Sequence, residues 1–235
     1  MPAQPTFNRV LSALAQADQL PWTEQLELVE LSARDVLHAQ GVVALHIYFP
    51  TSALVVLMQT ADGGGEVPVA LVGNDGVVEV AALLGAGVET NRAVVLQPGF
   101  AWRVPTSAVS AAGVGADQVV RVTVAHMLSL ASQVSQTASC QKHHGVEQRL
   151  SRWLLTALDR LPEDELAIDL AELAPLLAVS NGELTEAAAQ LMGLGALECE
   201  PGRLVVPDRA LLQARSCGCH APAKGMYYRK PLHQN

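Results

Sequence analysis

Apolar positions along the chain change period twice, and each change marks a different kind of element. Residues 6–16 (TFNRVLSALAQ) carry a short helical pattern. From about Leu26 to Pro105 short β-branched runs alternate with turns: LELVEL, LHIYF, ALVVLMQT, VPVALV, VVEVAALLG, RAVVLQ and PGFAWRV, separated by ADGGGE and GNDG. Many short strands punctuated by Gly and Pro predict an antiparallel barrel or jelly roll. The stretch Val36 to Ala61 has no formal charge, but it holds His38, Gln40, Gly41, His46, Pro50 and Gln59. Two strands turning at FPTS explain it better than a membrane span, so a membrane is not expected as a partner.

After Pro105 the period becomes helical. In VGADQVVRVTVAHMLSLASQVSQTASCQ, residues Val120, Val124, Met127, Ala131, Val134 and Ala138 alternate four and three positions apart, which is a heptad seam. A second apolar set (Val119, Val122, Leu130) can serve the core and leave the seam for a second copy, so a parallel homodimer is expected. KHHG at 142–145 breaks this helix. VEQRLSRWLLTALDRL restarts one, with Val146, Leu150, Trp153, Leu154, Ala157, Leu158 and Leu161 on one face.

PEDEL is a polar connector. IDLAELAPLLAVS reads as a short helix with Asp169 and Glu172 as N-cap and capping box. Pro175 inside it means that the helix begins later or kinks there. LLAVSNGELTEAAAQLMGLGAL follows as the turn and second helix of a helix-turn-helix, and ALECEPGRLVVPD as a hairpin turning at Pro201-Gly202. The expected fold is therefore α+β: an N-terminal antiparallel β-roll (1–108), a long dimerisation helix (109–142), a C-terminal winged helix-turn-helix (143–220) and a loosely held tail (221–235).

Composition sharpens one point and opens another. Half of the 235 residues are apolar, which suits a packed core. The formal net charge is -8, and residues 141–235 hold 10 basic against 12 acidic groups. A basic patch is the usual footprint of nucleic-acid binding, and composition supplies none. The predicted recognition helix has no Lys or Arg, only Glu183 and Glu186. The N-terminus lacks a basic region followed by an apolar core, so a cytoplasmic protein with reduced thiols is expected. A catalytic triad, a paired-carboxylate cleft or a phosphate-cradling Gly loop does not stand out: GGG at 63–65 lacks a following Gly-Lys-Ser/Thr, so no enzyme is expected.

In this order, β-roll, dimer helix and winged helix resemble the Crp/Fnr superfamily of bacterial transcription regulators, in a branch of undefined effector rather than the cyclic-AMP receptor itself. The matching stretches are HIYFPTSALVVLM, VALVGNDGVVEVAALLGAGVETNRAVV, VEQRLSRWLL, LTEAAAQL and the late SCGC, spanning roughly residues 8–219. The resemblance implies a cyclic-nucleotide-binding-like β-roll with an unidentified small-molecule effector, double-stranded DNA and a second copy of the chain as partners, and admits RNA polymerase. The alternative is a divergent dimeric signal-binding or protein-interaction module with weak or lost DNA binding.

The resemblance also directs attention to particular residues. Cyclic-AMP-binding members hold ribose with a Gly-Glu pair and phosphate with Arg followed by Ser or Thr. The corresponding positions here are Gly73, Asn74, Asp75, Gly76 and Glu79, then Asn91 and Arg92, with Thr123 and His126 completing the pocket from the dimer helix. Arg92 is displaced by one position, which on a strand turns it to the other face, so tight cyclic-AMP binding is not expected. The plainer reading makes Asn74, Asp75 and Asn91 turn residues and Arg92 an ion-pair partner.

No cofactor is identified. No Cys precedes Cys140, which rules out the N-terminal iron–sulfur mode, and adjacent His126 and Met127 do not share a helix face for haem. Two clusters, Cys140/His143/His144 and Cys217/Cys219/His220, hold soft ligands, but Cys-x-Cys-His suits structural zinc poorly and ordinary packing is the expectation, with no metal assigned. The DNA-contact candidates are Lys142, Arg149, Arg152, Ser180, Asn181, Glu183, Thr185 and Arg203. Ser180 and Asn181 stand where the family branch has two Arg, and Ala178 where many relatives have Gly in the turn.

Overall fold

A computed structural model of the chain describes residues 8–15, 20–60, 62–85, 88–112 and 117–223. The first helix, α1 (Arg9–Ala15), is anchored by Asn8, a fully buried polar residue that sequence reading missed. Its Oδ1 accepts from Leu11 N at 2.9 Å, and its Nδ2 donates to Pro50 O and Gly76 O, each at 2.8 Å. One amide thus caps a helix and ties together two loops, with each buried polar group satisfied.

Seven strands build the β-roll: β1 (Glu27–Leu31), β2 (Val36–His38), β3 (His46–Pro50), β4 (Leu54–Thr60), β5 (Glu66–Val72), β6 (Arg92–Gln97) and β7 (Gly99–Pro105). They form two antiparallel sheets, ordered β1-β7-β3 and β2-β6-β4-β5. The FPTS turn falls between β3 and β4, which belong to different sheets, so it is a crossover between layers. The run LVVL in β4 is continuous because both of its faces are buried: Val55 and Leu57 pack between the sheets, while Leu54 and Val56 join the core of the C-terminal half.

VVEVAALLG, expected as a strand, is instead a single bridge at Val78 followed by a 3-10 turn over Val80–Leu84. Glu79 causes the break: its φ of 67° is left-handed, which ends an extended run and drops Ala82 and Leu83 into the core.

Helix α2 (Thr106–Ala112) leads to α3 (Asp117–His143), the long helix. Val119, Val122, Thr123, His126, Gln133 and Cys140 face inward. Val120 (40% exposed), Val124, Met127 and Val134 (43% each) leave an apolar stripe in solvent, with Ala131 and Ala138 also exposed. Gln133 pairs its amide with the backbone of Leu71 (3.3 Å in each direction), extending the β5 edge by one side chain.

Beyond Gly145, α4 (Val146–Leu158) carries the winged-helix core. It is followed by β8 (Glu165–Leu166), α5 (Leu173–Leu177), α6 (Asn181–Gly193), β9 (Glu198–Glu200), β10 (Arg203–Val205) and α7 (Arg209–Arg215). The hairpin turns at Pro201-Gly202, where Gly202 has φ of 71°, and β10 lies between β8 and β9. Among the described residues no helix is long and apolar enough to cross a membrane. Most of the tail expected at 221–235 lies outside the described residues.

Candidate functional site

The helix-turn-helix is set by local chemistry. Pro175 lies in the first turn of α5, where its missing N–H costs nothing, so the helix begins later rather than kinking. The capping box expected from Asp169 and Glu172 is not formed. Asp169 opens a 3-10 turn over Leu170–Glu172 without a side-chain cap, and its Oδ1 accepts instead from Gly202 N at 2.6 Å, tying the wing turn down. Glu172 pairs with Arg34 at 3.3 Å. Competing partners outside the helix took both carboxylates.

Ala178 makes the turn at φ 51°, ψ 54°, a left-handed conformation that costs a side-chain-bearing residue about 1–2 kcal/mol. The capping box appears one helix later: Ser180 accepts from Glu183 N at 3.3 Å, and Glu183 accepts from Ser180 N at 2.9 Å and Ser180 Oγ at 2.6 Å. The hydrogen bonds from Ser180 hold the Glu183 carboxyl below the usual carboxylate range. Glu183 is therefore part of the helix start, which answers why a carboxylate stands at the tip of this helix. Leu184, Ala187, Ala188 and Leu191 bury the inner face of α6. Ser180, Asn181, Thr185, Glu186 and Gln190 are exposed on the other. A groove lined by Glu147, Gln148, Glu183, Glu186 and Gln190 separates α4 from α6.

The cations expected at phosphates divide. Lys142 is exposed. Half-buried Arg149 donates to Leu177 O at the end of α5, bracing the turn. Arg203 is engaged by Glu165 and, at 3.9 Å, by Glu200. Arg152 is a correction: it is 7% exposed, with Nη2 3.4 Å from Thr137, and faces inward beside Cys140, where no backbone phosphate reaches. Burial pushes the Cys140 thiol up to about 11, and the Arg152 charge opposes this.

The candidate signal loop is packed from both sides. A Cβ on Gly73 would lie 2.6 Å from Arg160 Cβ and 2.7 Å from its carbonyl oxygen. Asn74 N donates to Arg160 O at 3.1 Å, and the Arg160 guanidinium meets Asp75 at 3.1 Å. On Gly76 a Cβ would lie 2.5 Å from the His126 ring. His126 Nε2 sits 3.1 Å from Val77 O, and burial keeps its pKa low, so the ring stays neutral. Arg92 makes a two-bond pair with Glu66 at 3.0 and 2.9 Å. Asn91 is half-buried beside Thr90.

One group of this loop and one facing it from α3 present unused polar atoms. Among the described residues, Thr123 Oγ1 on α3 and Asn74 Oδ1 are buried without a hydrogen-bond partner. His38 Nδ1 and Glu79 Oε1 are hydrogen-bonded to each other in a buried pair. Burial pushes Glu79 up to about 7 although His38 draws it back. Burial likewise disfavours charge on His38, yet the hydrogen bond and charge of Glu79, with Glu89 beyond, raise its pKa overall. Both groups thus hold their protons to higher pH than they would in the unfolded chain. His38 and Arg160 carried no spacing signal: each is recruited across 41 or more positions of sequence.

No family model matches the sequence, and no curated protein matches it. Solved structures do. FixK2 from Bradyrhizobium japonicum superposes with a TM-score of 0.67 at 15% identity, covering 82% of this chain and 98% of that one. A CRP-family transcriptional regulator from Thermus thermophilus gives 0.63 at 14% identity, covering 80% and 95%. A regulatory protein from Silicibacter pomeroyi gives 0.61 at 18% identity, covering 89% and 95%. At these identities the likeness is one of fold.

Proposed function

We propose that this chain, which has the fold of the Crp/Fnr transcription regulators, is itself a homodimeric DNA-binding regulator controlled by a small molecule held in its β-roll. In this reading residues up to 108 receive the signal, 109–142 join two copies and 143–220 meet DNA. The observation that carries it is the winged helix: a capped α6, packed on α4, with Ser180, Asn181, Thr185 and Gln190 outward. Asn pairs with adenine, and hydroxyls and helix N-termini take phosphates, so such a helix can read DNA without Arg. Exposed Lys142 supplies phosphate charge. Buried Thr123 Oγ1 and Asn74 Oδ1 support a polar effector.

A second reading, a dimeric interaction module with lost DNA binding, draws support from the acidic groove beside α6. Fluorescence anisotropy with genomic fragments at two salt concentrations separates them. Asn181→Arg with Glu186→Arg is expected to tighten binding several-fold and to steepen the salt dependence by about 0.9 per phosphate newly neutralised. Unchanged affinity and slope would leave the interaction module as the better reading.

The exposed stripe on α3 supports the dimer, since these apolar side chains otherwise face water. Val124→Glu with Met127→Glu would set like charges across that seam, and sedimentation is expected to show a monomer where the wild type is dimeric.

A further inference from the structure

The two soft-ligand clusters, about 75 residues apart in sequence, close into one site. Cys140 Sγ lies 3.5 Å from Cys217 Sγ, and Cys219 Sγ lies 3.7 Å from His144 Nδ1. All four donor atoms, one each from Cys140, His144, Cys217 and Cys219, fall within 4.8 Å of one another, and all the cysteines are free thiols. We propose that these four side chains bind a single zinc ion in a closed tetrahedral site that clamps the segment after the wing to the junction of α3 and α4.

The spacing that argued against zinc is reconciled by how each half is held. Cys140 and His144 are one helical turn apart, joined by the His144 N to Cys140 O hydrogen bond of 3.0 Å, so they project on one face. Cys217 and Cys219 straddle Gly218 at the start of a tight 3-10 turn. A helix face supplies two ligands and a turn two more, so the usual two-to-four-residue gap between cysteines is not needed.

The dimensions fit. With Zn–S near 2.3 Å and Zn–N near 2.0–2.1 Å, a tetrahedron has S···S edges of about 3.8 Å and S···N edges of about 3.6 Å. The Cys140–Cys217 separation of 3.5 Å is slightly shorter than the first edge, and the Cys219–His144 separation of 3.7 Å is close to the second. Three thiolates and one imidazole form a soft set that favours zinc over calcium or magnesium, and four protein ligands leave no open position, which marks a structural role.

The surroundings are prepared for the charge. Three thiolates on a divalent ion leave one net negative charge, and the buried Arg152 cation lies alongside Cys140. The incoming segment is fastened on both flanks of the cluster. Arg215 Nε binds Glu147, and His220 Nε2 meets Asp159 at 2.9 Å. His220, placed with the cysteines by sequence, is thereby committed elsewhere, and His143 is exposed.

The test is metal content of the full chain, purified under reducing conditions without chelator and measured by plasma mass spectrometry, with cobalt as a spectroscopic replacement. One zinc per chain and a tetrahedral, thiolate-rich cobalt spectrum are expected. Partly exposed Cys219→Ser and His144→Ala should fold and bind metal at least about tenfold more weakly. His144→Cys should restore binding with an added thiolate band, and Cys199→Ser, in the wing, should leave it unchanged. Chelator should lower the Tm of the wild type but not of Cys219→Ser. A metal-free chain after zinc incubation would overturn the proposal. So would metal retained in both ligand variants, iron or copper in place of zinc, or a thiol titre two short with no metal, which would mean a Cys140–Cys217 disulfide.

Discussion

Two tetrapeptides of nearly the same chemistry meet opposite fates in this molecule. Gly73-Asn74-Asp75-Gly76 and Ser180-Asn181-Gly182-Glu183 are both small, polar and acidic. The first is pressed between α1, α3 and the end of α4, where Arg9, Arg160 and neighbouring backbone take most of its groups and leave Asn74 Oδ1 over. The second starts an exposed helix and finds its partners within itself. The nearby carboxylates diverge accordingly: burial raises Glu79 to about 7, whereas hydrogen bonds from Ser180 pull Glu183 down. Residue type sets what a segment can bond to, and packing decides whether any of it is left for a ligand.

The glycines give the strongest way to break this contrast. Gly73→Ala drives a methyl into the backbone of Arg160, which cannot swing aside, and should cost about 3 kcal/mol in urea unfolding. A neutral result would mean that the loop is not clasped by α4.

Glu79 offers the next effect. The folded protein holds its proton up to about pH 7, whereas the unfolded chain releases it near 4.5. Stability from this group is therefore complete below pH 4.5 and declines as pH rises to 7, and the raised His38 extends the decline above its ordinary 6.5. Glu79→Gln should flatten the Tm profile between pH 5 and 7. A profile as steep as the wild type would remove the raised Glu79 from the account.

The smallest effects belong to the exposed segment and have the opposite sign. A Cβ on Gly182 meets nothing within 4 Å, so Gly182→Ala should stabilise by about 0.5 kcal/mol through helix propensity. Ala178→Gly should relieve the left-handed turn and gain about 0.5–1 kcal/mol net of the added chain entropy. Both are measured by thermal unfolding. Destabilisation in either would show the turn to be packed more tightly than its exposure indicates.

Most of the architecture was legible from periodicity. The β-branched runs, the heptad stripe on α3, the amphipathic α4 and the Pro-Gly wing turn each report local burial through period 2 or 3.6, and a local signal survives in any context. Misreadings arose where a local pattern had a distant competitor. Asp169 and Glu172 form a plausible capping box, but Gly202 and Arg34 claimed them. VVEVAALLG has strand composition, but a left-handed Glu79, held by a histidine 41 positions away, ended the strand.

The candidate site was less legible for the same reason. Ser180, Asn181 and Thr185, candidates through the resemblance, are exposed on the outer face of α6, a face that depends on one helix. Arg152 is not exposed: it and Arg149 lie within one turn of each other on α4, yet one braces Leu177 and the other turns inward beside Cys140. The order of the elements, the apolar stripe on α3 and the absence of Lys and Arg from α6 were legible in the sequence. Which cations reach solvent, whether the signal loop is free, and that four soft ligands from two ends of the C-terminal half converge were decided by packing. Those outcomes depend on contacts between segments tens of residues apart, and a one-dimensional pattern carries no record of which distant segment will supply the partner.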